Sequence, residues 1–201
     1  YKRQAYNMLD EQAIRRRKDE PVDDIPKGEF LMVSVGSLIP RKGFERLIHI
    51  CGLLKSRGYR FHLLILGKGE LYEQLAEQVI DEHLLDSVQL LGFRDNPYPY
   101  MAAADLYVCP SYVEGFSTVV SEAVVLETPV VTTDCSGMRE ILGDSEYGLI
   151  TQNTEESLFE GLRTMLDKPE VYQYYQQRVR ERAPFFYMEE RLKAYEEILD
   201  Q

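Results

Sequence analysis

The stretch Asp105-Leu-Tyr-Val-Cys-Pro-Ser-Tyr-Val-Glu-Gly-Phe-Ser-Thr-Val-Val-Ser-Glu122 decides how this chain is read. Leu106 to Cys109 form an unbroken apolar run, as expected of a strand covered on both sheet faces, and Pro110 ends it. Ser117 and Thr118 are helix-starting residue types. Ala123 to Leu126 continue an apolar helical face, which Thr128-Pro129 stops. The stretch therefore predicts strand, glycine loop, helix, with Glu114 at the loop and Glu122 inside the helix. A helix N-terminus preceded by a glycine offers free N–H groups and a positive dipole end, which suits a phosphate. A loop cap and a solvated carboxylate are the other reading of the same two acids.

Outward from this unit the same alternation recurs. Apolar runs at 30–35, 61–66, 88–91, 130–132 and 148–150 read as further strands. Between them, Phe44, Leu47, Ile48, Cys51 and Leu54 recur at helical spacing, with Gly58 closing that helix. Helices are also expected at 71–80, 99–104, 139–142, 154–166 with Thr154 as cap, 170–182 and 188–199. Strand and helix alternating about six times predict an α/β domain, a parallel sheet of about six strands in a three-layer α/β/α, Rossmann-like arrangement. Residues 1–29 are polar and irregular apart from a short basic helix near 11–18, and read as a linker. The run Arg15-Arg-Arg-Lys18 is flanked by acids and reads as a solvated helix face.

A net charge of −11 argues against a nucleic-acid binder and against strong attachment to an anionic membrane. Three widely spaced cysteines, two inside apolar runs, predict free thiols and a reducing, cytoplasmic compartment. No apolar run reaches the roughly 18 residues of a membrane span. The chain begins Tyr1-Lys-Arg-Gln with no starting methionine, so a fragment of a longer protein is expected.

Ligands of parallel sheets bind beyond the carboxyl ends of the strands. Arg41-Lys42-Gly43 lies in the first such loop, where two cations could hold a diphosphate without a metal. Gly67-Lys-Gly69 makes a compact turn, but Tyr72 stands where a dinucleotide fingerprint needs its third glycine. The histidines at 49, 62 and 83 have no ligand spacing and read as satisfied structural residues. No metal-holding Asp-x-Asp pair is present, Ser111 and Ser117 are expected to lack a nearby base, and there is no Gly-x-Ser-x-Gly elbow. Ser136 and Gly137 either offer N–H groups or make a turn.

Taken together, these residues resemble the C-terminal domain of retaining glycosyltransferases of family four, built on the two-Rossmann GT-B architecture. Val35-Gly36 through Lys42-Gly43 looks like that family's first loop, and Leu90-Leu-Gly-Phe93 like its base-side loop. Ala104-Asp105 through Pro110-Ser111, then Glu114-Gly-Phe116 through Glu122-Ala123, is similar to its central signature. Thr128-Pro-Val-Val131, Ser136-Gly137, Glu140 and Gly148 follow in the family's order. The resemblance implies a nucleotide-diphospho-sugar donor site, UDP-linked by preference, without metal or other cofactor. Glu122 would accept from the ribose, Glu114 would meet the transferred sugar, and backbone at Gly115, Phe116, Ser117, Thr118 and Val119 would hold the diphosphate. Lys42 would neutralise the leaving phosphate, which makes Glu114 and Lys42 the groups at the reaction centre. Gly36, Ser37 and Gly67 would line the donor, with Gly92 beside the base. Ser37 stands where the family often places an arginine; either Arg41 supplies that charge or Lys42 acts alone.

The resemblance further implies a division into a crossover segment at 1–29, the nucleotide-sugar-binding domain at 30–183, and a crossover helix at 184–201. The N-terminal acceptor domain would lie outside this chain and bring a glycan or lipid-linked acceptor and any contact with the inner face of a membrane. The implied reaction is transfer of a hexose or N-acetylhexosamine in cell-surface polysaccharide assembly, with the isolated piece inactive. A nucleotide-binding regulatory module, or another GT-B enzyme such as a nucleotide-sugar epimerase, is the competing reading.

Overall fold

The computed structural model describes residues 9–187. Six parallel strands form one sheet: β1 (Phe30–Val35), β2 (Phe61–Leu66), β3 (Val88–Gly92), β4 (Leu106–Cys109), β5 (Val130–Thr133) and β6 (Leu149–Thr151). Their spatial order is β3-β2-β1-β4-β5-β6, so the chain winds one way from β1 and then the other. That reversal between β1 and β4 opens a crevice at the strand ends, the place where such sheets take ligands. The predicted Rossmann-like three-layer domain is the fold observed.

Strand side chains alternate between two apolar layers. Leu31 and Val33 of β1, Leu64 and Leu66 of β2, and Tyr107 of β4 face one cluster with Met101, Val120, Val124, Ile141 and Val179. Met32, Leu63, Ile65, Leu106 and Val108 face the other, with Phe44, Leu47, Ile48, Leu75, Leu158 and Leu162. The helices that supply these layers are α1 (Glu11–Arg17), α2 (Phe44–Ser56), α3 (Tyr72–Asp81), α4 (Tyr98–Ala103), α5 (Thr118–Val125), α6 (Met138–Leu142), α7 (Glu155–Asp167) and α8 (Pro169–Arg182). Because both sheet faces are covered, the strands are mostly apolar rather than alternating, and buried polar residues such as Ser34 and Thr132 are the exceptions. Thr154 caps α7 as expected, its hydroxyl accepting from Ser157 N at 3.2 Å. Cys51 and Cys109 are free and buried in the core.

Residues 9–29, read from the sequence as a linker segment, are packed against the domain. Asp10 caps α1 by accepting from Ala13 N at 2.8 Å, and Ile14 is 3% exposed, packed with α4 and α5. Leu9, Val22 and Ile25 join the same cluster. Four apolar side chains scattered among charges fall short of a periodic signal, yet they suffice to seat the segment. Within the basic run Arg15 and Arg16 are exposed, as a solvated face requires, while Arg15 faces Glu127 at 3.8 Å and Arg17 bridges Asp95 at 2.9 Å. The helix expected at 188–199 lies outside the described residues, as do residues 1–8.

Candidate functional site

Glu114, Arg41 and Lys42 meet at the crevice although 72 residues separate Lys42 from Glu114. A short 3-10 helix, Pro40–Lys42, follows β1 and presents both cations. Its backbone is tied to the β4 loop, with Tyr112 N donating to Arg41 O at 2.9 Å. Lys42 Nζ donates to Glu114 Oε1, and Arg41 stands 3.8 Å from Oε2. Glu114 is 8% exposed, and Ser111 Oγ donates to it at 2.7 Å. Ser111 therefore does have a carboxylate beside it, contrary to the sequence expectation. Its hydroxyl is buried and spent orienting Glu114, and no imidazole accompanies it, so nucleophilic serine chemistry is not built here.

Of the two cations, Lys42 is mostly enclosed while the Arg41 side chain is 53% exposed. Lys42 is thus the fixed charge, and Arg41 reaches in from solvent. Ser37 is exposed at the crevice rim and carries no charge.

Beside this pair lies a cavity of about 320 Å³ between the ends of β1, β2 and β3 and the first turns of α5. Val35, Gly36, Ser37, Gly67, Lys68, Phe93, Arg94, Asp95, Val119 and Glu122 are among the residues that line it. Phe93 is 59% exposed, and Lys68 Nζ sits 4.6 Å over its ring. Gly67 makes the floor possible: its N–H donates to Gly92 O at 2.9 Å, and a Cβ there would collide with the Gly36 carbonyl oxygen. The two sub-sites meet along β1 and α5, where Val35 and Val119 also border the smaller recess formed by Lys42, Ser111, Glu114 and Ser117.

Ser117 rather than Thr118 caps α5, its hydroxyl accepting from Val120 N. Gly137, with φ +82, makes the turn before α6 and presses on the Gly115-Phe116 backbone; a Cβ there would stand 2.7 Å from Gly115 O. It shapes the loop that carries Glu114 rather than contributing to the cavity lining. Glu122 lies one turn into α5, where burial raises its pKa and a hydrogen bond from Tyr98 partly offsets that rise. Tyr98 donates to Glu122 Oε1 at 3.1 Å, and burial, with the Glu122 charge, pushes the phenol up to about 12.

All thirteen residues singled out in the sequence fall at this end of the sheet: Gly36, Ser37, Arg41, Lys42, Gly67, Gly92, Glu114 to Val119, and Glu122. The sequence reading missed Lys68, Phe93, Arg94, Asp95 and Tyr98 as individual residues. Lys68 lies inside the Gly67–Gly69 turn and Phe93 in the base-side loop, so both segments were in view. Tyr98 gave no signal of its own. The histidines stand apart from the site; His49 lies between Glu82 and Glu155, and His62, expected to be satisfied, has a buried Nδ1 without a hydrogen-bond partner. Among the described residues no cluster of His, Cys, Asp or Glu is arranged to hold a metal ion, and no helix is long and apolar enough to cross a membrane.

The family model for glycosyl transferases group 1 matches residues 15–182. A Campylobacter jejuni N-acetylgalactosamine-N,N'-diacetylbacillosaminyl-diphospho-undecaprenol 4-alpha-N-acetylgalactosaminyltransferase is 36% identical over 90% of this chain and 48% of its own length. A lipopolysaccharide core biosynthesis glycosyltransferase of Rhizobium meliloti is 32% identical over 63% of this chain and 36% of its own. The chain thus spans half or less of the length of these relatives. Among solved structures, the lipopolysaccharide glycosyltransferase WaaG superposes with a TM-score of 0.72 at 25% identity, over 89% of this chain and 48% of that one. Anabaena HepE, solved in complex with UDP, superposes with a TM-score of 0.75 at 23% identity, over 86% and 49%, and shows the shared fold. The order of the loop signatures, the sheet topology and the family match agree: this chain belongs to the group 1 glycosyl transferases.

Proposed function

We propose that this chain is the donor-binding half of a retaining, metal-independent glycosyltransferase. The observation that carries the reading is the pairing of Lys42 with Glu114 beside a cavity containing Glu122, all at the topological reversal of the sheet. In this reading the nucleoside enters the cavity between Phe93 and Gly67, and Glu122 accepts hydrogen bonds from the ribose. The diphosphate lies across the start of α5, where the helix dipole and the first-turn N–H groups stabilise its charge. Lys42 exchanges part of its contact with Glu114 for the phosphate, and Glu114 turns one oxygen to a hydroxyl of the sugar. As the bond from the anomeric carbon to the diphosphate breaks, the electron pair passes to phosphate, and Lys42 stabilises the charge that develops there.

UDP is the proposed carrier, since HepE is described with UDP and binds on the same fold. The transferred group is a hexose or N-acetylhexosamine, and the acceptor a glycan or lipid-linked glycan, as the Campylobacter relative's name describes for that enzyme. Acceptor binding and any peripheral membrane contact belong to an N-terminal domain outside this sequence, with residues 1–29 and 184–201 as the crossings to it. The setting proposed is the cytoplasmic side of a cell-surface polysaccharide pathway.

Titration calorimetry with UDP, GDP and ADP tests the reading on the wild type, Glu122→Ala and Lys42→Ala. Micromolar binding that weakens roughly tenfold or more in each variant is expected, the scale of one lost charge-assisted hydrogen bond. Absence of binding by any nucleotide would remove the donor site. Sugar transfer by this chain alone to a supplied acceptor would refute the division of labour between two domains. Nucleotide binding together with an inactive full-length protein would favour the regulatory-module alternative.

A further inference from the structure

Tyr98 donates a hydrogen bond to Glu122, yet it lies on a different element and outside the loop signatures. It opens α4, immediately after the Phe93–Pro97 segment that forms one wall of the cavity. Its backbone is anchored and one cation stands near its ring. Tyr98 N donates to Asn96 Oδ1 at 3.2 Å, and Asn96 Nδ2 in turn donates to Arg17 O at 2.8 Å. The Arg17 guanidinium lies 5.8 Å from the centre of the phenol ring and is itself anchored on Asp95. A tyrosine so braced presents its hydroxyl to Oε1 in one orientation, on a carboxylate whose residue lines the cavity.

An ionised carboxylate only accepts hydrogen bonds, and two vicinal hydroxyls need both of its oxygens in one plane. In a half-buried place the alternatives are a rotated carboxylate or a protonated one, and neither matches a diol. We propose that Tyr98 is a positioning residue, whose phenol fixes the Glu122 carboxylate as the acceptor of the ribose hydroxyls and so lets the site tell a ribonucleotide from its deoxy analogues. The proposal rests on the donor-site reading above. The phenol suits this role because it stays protonated across the neutral range and is always a donor to Glu122.

Calorimetry on the 201-residue chain decides it, comparing wild type, Tyr98→Phe, Glu122→Ala and the double variant. Each is titrated with UDP and with 2′,3′-dideoxyuridine diphosphate, or the same pair built on guanosine or adenosine if the wild type prefers that base. Tyr98→Phe should lose roughly tenfold in affinity for the ribonucleotide, the scale of one hydrogen bond to a charged group. Its affinity for the dideoxy compound should equal the wild type's, and adding it to Glu122→Ala should cost nothing more. An equal loss on both nucleotides would show that Tyr98 only shapes the wall, and additive losses in the double variant would show that it acts independently of Glu122. Either outcome, or unchanged binding by Tyr98→Phe, overturns the proposal while leaving the donor site intact. Wild-type protein that binds none of the three nucleotides overturns the donor-site reading as well.

Discussion

Lys42 and Glu114 hold each other in a place with little access to water, so each is a structural debt for the other. With Lys42 removed, the Glu114 carboxylate keeps Ser111 and a distant Arg41 but loses its closest cation. Lys42→Met should therefore destabilise by about 1–3 kcal/mol, less than a fully buried pair because Lys42 retains some solvent contact. Adding Glu114→Gln should recover part of that loss, since the uncompensated charge disappears while Ser111 retains an oxygen to donate to. Urea unfolding of the two single variants and the double variant measures the coupling, and additive losses would contradict the pairing. Glu122 behaves in the opposite sense. Burial raises its folded pKa above the unfolded value, with the Tyr98 hydrogen bond only partly opposing this. The unfolded chain then releases its proton first as pH rises, so stability falls between the unfolded and folded values and the full penalty is present above both. Glu122→Gln should consequently raise Tm at pH 7–8, and that gain should vanish below about pH 4, where Glu122 is protonated in both states. Calorimetric scans across that range check the sign.

At the scale of elements, the glycine turn before α6 governs the loop carrying Glu114. Gly137→Ala meets two costs at once: a left-handed backbone that alanine resists by about 1–2 kcal/mol, and a Cβ crowding Gly115 O and the Phe116 Cα. The relief available is to push the Gly115-Phe116 backbone away, and with it the start of α5. Nucleotide affinity should therefore fall further than the stability loss alone explains, a comparison that calorimetry below Tm makes directly. Thr154→Ala, at the head of α7 and away from the crevice, should cost about 1 kcal/mol and leave nucleotide affinity unchanged. These elements also show what the sequence made legible. β1, β2 and β4 begin and end where their apolar runs do, because burial on both faces keeps these strands mostly apolar, with Ser34 and His62 the polar residues inside β1 and β2. The residues lining the crevice were legible because glycines, cations and acids sit at the ends of those strands. The packing of residues 9–29 was not, since it rests on Leu9, Ile14, Val22 and Ile25 dispersed among charges. Nor was Tyr98, whose role arises only when α4 and α5 come together beside the crevice, a meeting of positions 24 residues apart that no periodicity encodes.

The whole molecule is a sheet in two halves, β3-β2-β1 and β4-β5-β6, that meet where the crevice opens. Lys42 and Gly67 come from the first half, Glu114 and Glu122 from the second, and the β1–β4 pairing joins only Met32 with Leu106 and Val33 with Tyr107. By contrast, β1 and β2 pair along all six residues of each strand. A donor lying across the crevice would bridge the least extensively paired part of the sheet, adding contacts that the unfolded chain cannot make. A ligand at one hundred times its Kd stabilises by about 2.7 kcal/mol, which for a domain near this size corresponds to about 5–10 °C in Tm. The wild-type chain should show a shift of that size with saturating UDP, measured by scanning calorimetry. At the same nucleotide concentration Lys42→Ala and Glu122→Ala, one from each half, should each lose about half of it if affinity falls tenfold. A full shift in either variant would mean that the nucleotide rests on one half of the sheet and that the crevice is not where it binds.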